Sequence, residues 1–387
     1  MRAKFLGILT ATMIVFAGLA APNLSNSASA APTSYTVTFD ANGGTGVMAK
    51  QVIPVKGKAL SPNKFVKDTH RFSGWSLTRT GSVKYFNSAV VKPKSKLTLY
   101  AKWTVNTSTP VLSGLVVGKL LWSDSFSGQT GGLLDSSNWT ARYCGHENDN
   151  GGGTCHNNEK QWYTPDAIRL DGSAQGNAVI TSKKVTVAPA NSGSCLNLPC
   201  SFTSGRFDTQ KKVSFKYGYI ETRMKMPAGG GNWPAFWALG DSMSQVGWPL
   251  AGEIDIAEQG GNLPMRNSAA VHFSNTNNAT CCGNHRYIWG QIVNQHNYQN
   301  EFHTYGLAWL PNRLEFYVDR QLFWSVTPAN VQGHWAFNEP FFLIFNNAVQ
   351  GSAGFGGNYS GWSESQTVID YVHAWQLNGQ GSVVKQK

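Results

Sequence analysis

The chain has 387 residues, too many for one ordinary domain and enough for two, and its 32 Lys and Arg against 21 Asp and Glu leave a formal net charge of +11. The surplus is local: residues 31–117 hold 12 basic side chains against Asp40 and Asp68, whereas residues 118–387 hold 18 against 19 acids. Such a patch either contacts an acidic cell-wall polymer or anionic surface, or is a plain soluble face, and without a recognition helix it excludes nucleic acid as a partner.

At the start of the chain, Arg2 and Lys4 precede an apolar run from Phe5 to Ala21, and Ala28-Ser29-Ala30 has the small-residue pattern of a cleavage site. Residues 1–30 are therefore expected to be a removed signal peptide, because the run falls short of the ~20 residues that span a bilayer. The mature protein is expected outside the cell, as a monomer that contacts the surface through its basic end. Cys144, Cys155, Cys195, Cys200, Cys281 and Cys282 suit an oxidising compartment. The short spacings suggest the pairs Cys144 with Cys155 and Cys195 with Cys200, while the adjacent Cys281 and Cys282 either bridge each other or pair elsewhere. With no C-x-x-C pair present, zinc is not expected.

Between Tyr35 and Trp103 several short runs alternate apolar with polar residues, and Asn42-Gly43-Gly44 and Gly81-Ser82 supply turns, which predicts a small β-rich module over 31–104. Tyr35-Thr-Val-Thr-Phe-Asp-Ala-Asn-Gly-Gly44, Phe72-Ser-Gly-Trp75 and Leu97-Thr-Leu-Tyr-Ala-Lys-Trp103 resemble the internalin-type B repeat of bacterial surface and secreted proteins. That resemblance implies a β-grasp-like accessory module. Residues 105–117, rich in Thr, Ser and Pro at their start, are expected to be a linker. From 118 to 378 short strand-like runs alternate with Gly, Asn and Pro turns, predicting an all-β sandwich with a concave face lined by aromatic rings, followed by a tail over 379–387.

One segment of this second domain carries chemistry. In Glu253-Ile-Asp-Ile-Ala-Glu258 simple alternation places Glu253 and Asp255 on one strand face and turns Glu258 the other way. A β-bulge at or near Ala257 would restore the phase and gather three carboxylates on one face. Such a cluster is repulsive and gains nothing for a fold by itself. Retaining glycoside hydrolysis does need two carboxyl groups about 5–5.5 Å apart, and Glu side chains can lean together although their backbones are separated by roughly 13 Å. Glu253 is then the nucleophile, Glu258 the acid and base, and Asp255 the group that tunes Glu253's charge.

Trp248-Pro-Leu-Ala-Gly-Glu-Ile-Asp-Ile-Ala-Glu258, Tyr217-Gly-Tyr-Ile-Glu-Thr-Arg-Met-Lys-Met-Pro227 and Gly231-Asn-Trp-Pro-Ala-Phe-Trp-Ala-Leu-Gly240 resemble glycoside hydrolase family 16, particularly its laminarinase-like members. The likeness runs from Trp122-Ser-Asp through Asn158-Glu-Lys-Gln-Trp-Tyr163 to Val368-Ile-Asp-Tyr-Val372. It implies a β-jelly-roll, retaining chemistry on a β-glucan, and the three acid roles given above. It implies sugar contacts for Trp233, Trp237 and Trp248, with core packing the alternative for Trp237. Asn158 and Arg206 match positions that bond sugar hydroxyls, although Arg206 can instead hold a loop, and His272 bonds either Asp255 or a sugar. No cofactor is required for catalysis. Asp124 and Asp370 are candidates for a structural Ca²⁺ site, weakened by Ser125 where the family often has an acid. Endo-β-1,3-glucanase activity is the first expectation. Mixed-linkage β-1,3-1,4-glucan or β-galactan hydrolysis and transglycosylation are its neighbours, and a non-catalytic β-glucan-binding protein, a class that typically lacks these glutamates, is the contrasting reading.

Overall fold

The computed structural model describes residues 32–386 except 62, 66, 68–69, 86–88, 106–108, 127–129, 144–156, 158, 174–175, 186–199, 278–283, 294–296 and 351–354. The expected signal peptide, Asn158 and every cysteine but Cys200 lie outside the described residues. Cys200 is buried against Trp162 and Tyr163 and is not a free thiol.

In the N-terminal module, strands Ser34–Asp40 and Leu97–Val105 run parallel at the centre of a four-stranded sheet, with Gln51–Pro54 and His70–Ser76 antiparallel on either side. First and last strands adjacent and parallel is the β-grasp arrangement. Alternation buries Val37, Phe39, Leu99 and Ala101 around Trp75, whose ring lies 4.7 to 6.1 Å from those of Phe72, Phe39 and Phe65. The Asn-Gly turn forms for a steric reason. Asn42 and Gly43 both have positive φ, a conformation those two residue types adopt at low cost, and the Gly44 N–H closes onto the Ala41 carbonyl.

The spacer is shorter than its composition suggests. Leu112 is buried with Tyr219, Trp375 and Leu377, so the chain docks on the larger domain before the strand Val117–Asp124 begins.

That domain is a sandwich of a ten-stranded and a nine-stranded sheet. Ile220, Met224, Leu307, Phe316 and Val372 from the first meet Phe236, Ile254, Val271 and Phe345 from the second in one apolar layer. All are at most 1% exposed, and burial of each such side chain contributes about 1.5–3 kcal/mol. The opposite face of the nine-stranded sheet carries a smaller cluster of Leu239, Phe342 and Ile344 beneath Trp237 and Trp248. The C-terminal segment is not a tail: Ser382–Lys385 pairs with Val213–Lys216, adding a strand to the nine-stranded sheet. Its Ser-Val-Val-Lys stretch is too short to display a period.

Candidate active site

The acid strand, Glu253–Glu258, lies between Asn232–Gly240 and Arg266–Ser274. Its entry depends on Gly252, which has φ +81° and where a Cβ would come within 2.6 Å of the Ala336 Cβ. Against Asn232–Gly240 the register runs Leu239 to Glu253, Ala238 to Ile254 and Trp237 to Asp255, then resumes with Phe236 to Ala257, leaving Ile256 without a partner. The ladder to Arg266–Ser274 breaks over the same interval, between Asp255 and Glu258. This is the bulge that phase counting required, and it falls at Ile256-Ala257. Ile254, Ile256 and Ala257 are all fully buried in the inter-sheet core. Two successive residues therefore point inward, and Glu253, Asp255 and Glu258 share the outer face.

Each glutamate is held by an indole. The Trp248 N–H donates to Glu253 Oε2 at 2.7 Å, and the Trp233 N–H donates to Glu258 Oε1 at 2.8 Å. Asp255, 4% exposed, sits with Oδ2 3.0 Å from His272 Nε2, a contact more electrostatic than directional because its alignment is poor. Burial, then the charges of Glu253 and Glu258, pushes the Asp255 carboxyl well above the usual carboxylate range. Glu258 is also raised, mainly by burial and less by Glu253, against the lowering effects of the Trp233 hydrogen bond and the His272 charge. Burial alone would lower His272, but Glu253, Asp255 and Glu258 outweigh it and raise the imidazole to about 9. Its other nitrogen, Nδ1, lies 2.8 Å from His285 Nε2. His285 is pushed down to about 4 by burial and then by His272 and Arg286, so it is neutral and accepts from the His272 imidazolium. Glu253, Asp255 and His272 have metal-ligand spacing, within 4.8 Å of one another. A metal there would have to displace the proton that these same acids favour on His272.

The other expected contacts divide. Trp233 and Trp248 stand at the acids, partly exposed. Trp237 is on the same face; its N–H donates to Asn346 Oδ1 at 2.7 Å and the Arg206 guanidinium lies 4.9 Å from its ring centre. Arg206 is only 6% exposed, which suits a residue fixing the cleft wall. Behind it lies a residue not anticipated, Glu159, buried and raised to about 7 by desolvation, with Tyr163 bonded both to it and to Asn346. Glu159 lies within the Asn158–Tyr163 motif, but between polar neighbours, Asn158 and Lys160, its burial has no local signal. His285 and Asn346 lay in segments with no matching motif.

Asp124 and Asp370 do not have a cation's surroundings. Asp124 Oδ1 accepts from the Phe126 N–H and Oδ2 from Asn138 and Trp139, while Asp370 Oδ2 accepts from Arg223 at 2.7 Å. Calcium needs six to eight oxygen ligands, and this N–H-rich donor set does not fit it.

The model of glycosyl hydrolases family 16 matches residues 167–373, more than half of the chain. The chain belongs to this family. This family 16 glycoside hydrolase also matches, over residues 35–102, the Listeria-Bacteroides repeat domain, which is the module anticipated as an internalin-type repeat. It is 31% identical over 269 residues to a β-glucanase of Rhodothermus marinus, covering 67% of this chain and 85% of that one. To glucan endo-1,3-beta-glucosidase A1 of Niallia circulans it is 32% identical over 272 residues, 66% of this chain but only 36% of that protein. The X-ray structure of endo-beta-1,3-glucanase from Pyrococcus furiosus superposes with a TM-score of 0.57 at 29% identity, over 69% of this chain and 98% of that one. The family 16 jelly-roll sandwich expected from the motifs is the fold observed.

Proposed function

We propose that this family 16 hydrolase is a secreted, retaining endo-β-1,3-glucanase acting on laminarin-like polysaccharide. The observation that carries the reading is the bulge at Ile256-Ala257, which gives Glu253 and Glu258 one face and each its own indole donor. In the first step a Glu253 oxygen attacks the anomeric carbon while the glycosidic C–O bond breaks and Glu258 gives its proton to the departing oxygen. Glu258's raised affinity for a proton suits that role. In the second step water bonds to the anomeric carbon, its proton passes to Glu258, and the ester to Glu253 is released. Asp255, whose carboxyl is raised by burial and by its acidic neighbours, stands between the two glutamates, and His272 offsets the negative charge of the cluster. The β-1,3 linkage is supported by the names of the relatives above. Export is supported by the Phe5–Ala21 run and the Ala28-Ser29-Ala30 pattern.

Product analysis on laminarin, lichenan and agarose tests the substrate: laminarin is expected to give a ladder of oligosaccharides, and cleavage confined to agarose would overturn the reading. The first product detected by NMR should be the β-anomer; initial α-anomer would exclude retention. Glu253→Gln should lower turnover about a thousandfold or more while laminarin binding persists, and undiminished turnover would remove Glu253 from its role.

A further inference from the structure

Beyond the acids, towards the edge of the nine-stranded sheet, the strand His285–Val293 presents two large rings to solvent. Tyr287 is 58% and Trp289 53% exposed. Register places them on the face of the acids, because directly paired residues point the same way. Glu253 pairs with His272 and His272 with Tyr287; Asp255 pairs with Ala270 and Ala270 with Trp289. The inner face of the strand is pinned. Ile288 and Ile292 pack on the core, and Gly290 lies so close to the Trp324 ring that a Cβ there would sit 2.2 Å from it.

The outer face continues the site without a break. Trp248, which holds Glu253, has its ring 4.4 Å from that of His285, and the Tyr287 ring lies parallel to His272 at 5.4 Å and 17°. Ala270, between Asp255 and Trp289, has no side chain long enough to block the path. Two strand spacings, about 10 Å, separate the acid strand from these rings, which is on the scale of a few sugar units. Exposed aromatics in a row gain nothing for folding, and their flat apolar faces match the C–H face of a pyranose. The next residue of that face, Gln291, is exposed and brings an uncharged amide that both donates to and accepts from hydroxyls.

We propose that Tyr287 and Trp289 form a stacking platform for glucosyl units of a β-glucan chain that extends from the acids past His272 to the sheet edge. The proposal rests on the β-glucanase reading above. With Trp237 and Arg206 on the other side of the acid strand, sugars are bound on both sides of the cleavage point, as internal attack on a polymer requires.

The test is kcat/KM for a series of laminari-oligosaccharides and for laminarin, with wild type, Trp289→Ala and Trp289→Phe. Trp289→Ala should lower kcat/KM about tenfold on the polymer, mainly through KM, and the loss should shrink as the substrate shortens. Trp289→Phe should restore most of it, since it keeps a ring. Equal losses at every length, or no loss at any, would overturn the platform while leaving the enzyme reading intact. A wild type that cleaves neither laminarin nor lichenan would sink the enzyme reading and the ligand named here together. Self-association that Trp289→Ala abolishes, with sugar kinetics unchanged, would assign the rings to protein contact instead.

Discussion

Glu253 and Glu258 are the same residue type on the same strand, yet their surroundings push them towards different chemistry. Glu258 is raised chiefly by burial, whereas His272, held by His285, stands 3.0 Å from Asp255 and 4.0 Å from Glu253. His272 therefore acts as a fixed positive charge in the cluster. Its effect on Glu258 has a definite sign: the imidazolium lowers Glu258's pKa, so His272→Gln should let that pKa rise further. Activity is lost at high pH when Glu258 gives up its proton. The alkaline limb of kcat/KM should accordingly move to higher pH in His272→Gln. A limb that stays in place or moves down would separate His272 from the acid's titration.

At the scale of a single element, the bulge decides whether the acid strand can function. Without it, strict alternation from Asp255 would place Glu258 in the layer now occupied by Ala257, among side chains that are fully buried. Inserting one alanine between Ala257 and Glu258 shifts the phase by one residue, turns Glu258 into that layer and is expected to cost several kcal/mol, because a carboxyl without partners enters an apolar core. Thermal unfolding should show a sharp drop in Tm, and turnover should fall at least as far as in Glu253→Gln. An insertion variant with normal stability and turnover would mean that the phase set at the bulge positions nothing. The acids, the interleaved isoleucines and the need for an extra residue were all legible in Glu253–Glu258. Which residue is extra was not, because Ile256 and Ala257 are both apolar and either can face the core; only pairing with the two flanking strands places the break.

At the scale of the whole molecule, the two units keep separate hydrophobic cores, one around Trp75 and one between the large sheets, with no residue in common among the described residues. Their stabilities should therefore be separable. Trp75→Ala removes the fully buried centre of the small core and is expected to cost the module about 3–5 kcal/mol. Calorimetry should then show that one transition shifts while glucan hydrolysis by the full chain is retained. Loss of hydrolysis would show that the module supports the site. The net positive charge of residues 31–117 likewise belongs to the module and leaves the acid cluster's electrostatics to its own domain.

The local information in the chain was enough for fold class, and it singled out a two-unit division and the three acids, since alternation, turn residues and a repulsive carboxylate motif are properties of neighbours in sequence. The same information pointed to Trp233, Trp248 and His272. It could not reveal the His272–His285 bond, the Asn346–Trp237 bond or the Tyr287 and Trp289 face, whose partners lie on different strands and meet only through register. Nor could it show that Asp124 and Asp370 are already engaged by Trp139 and Arg223, or that residues 382–385 find an edge to pair with. A strand's pattern states which faces it has; which neighbours those faces meet depends on long-range pairing, and the chemistry of this site resides in those meetings.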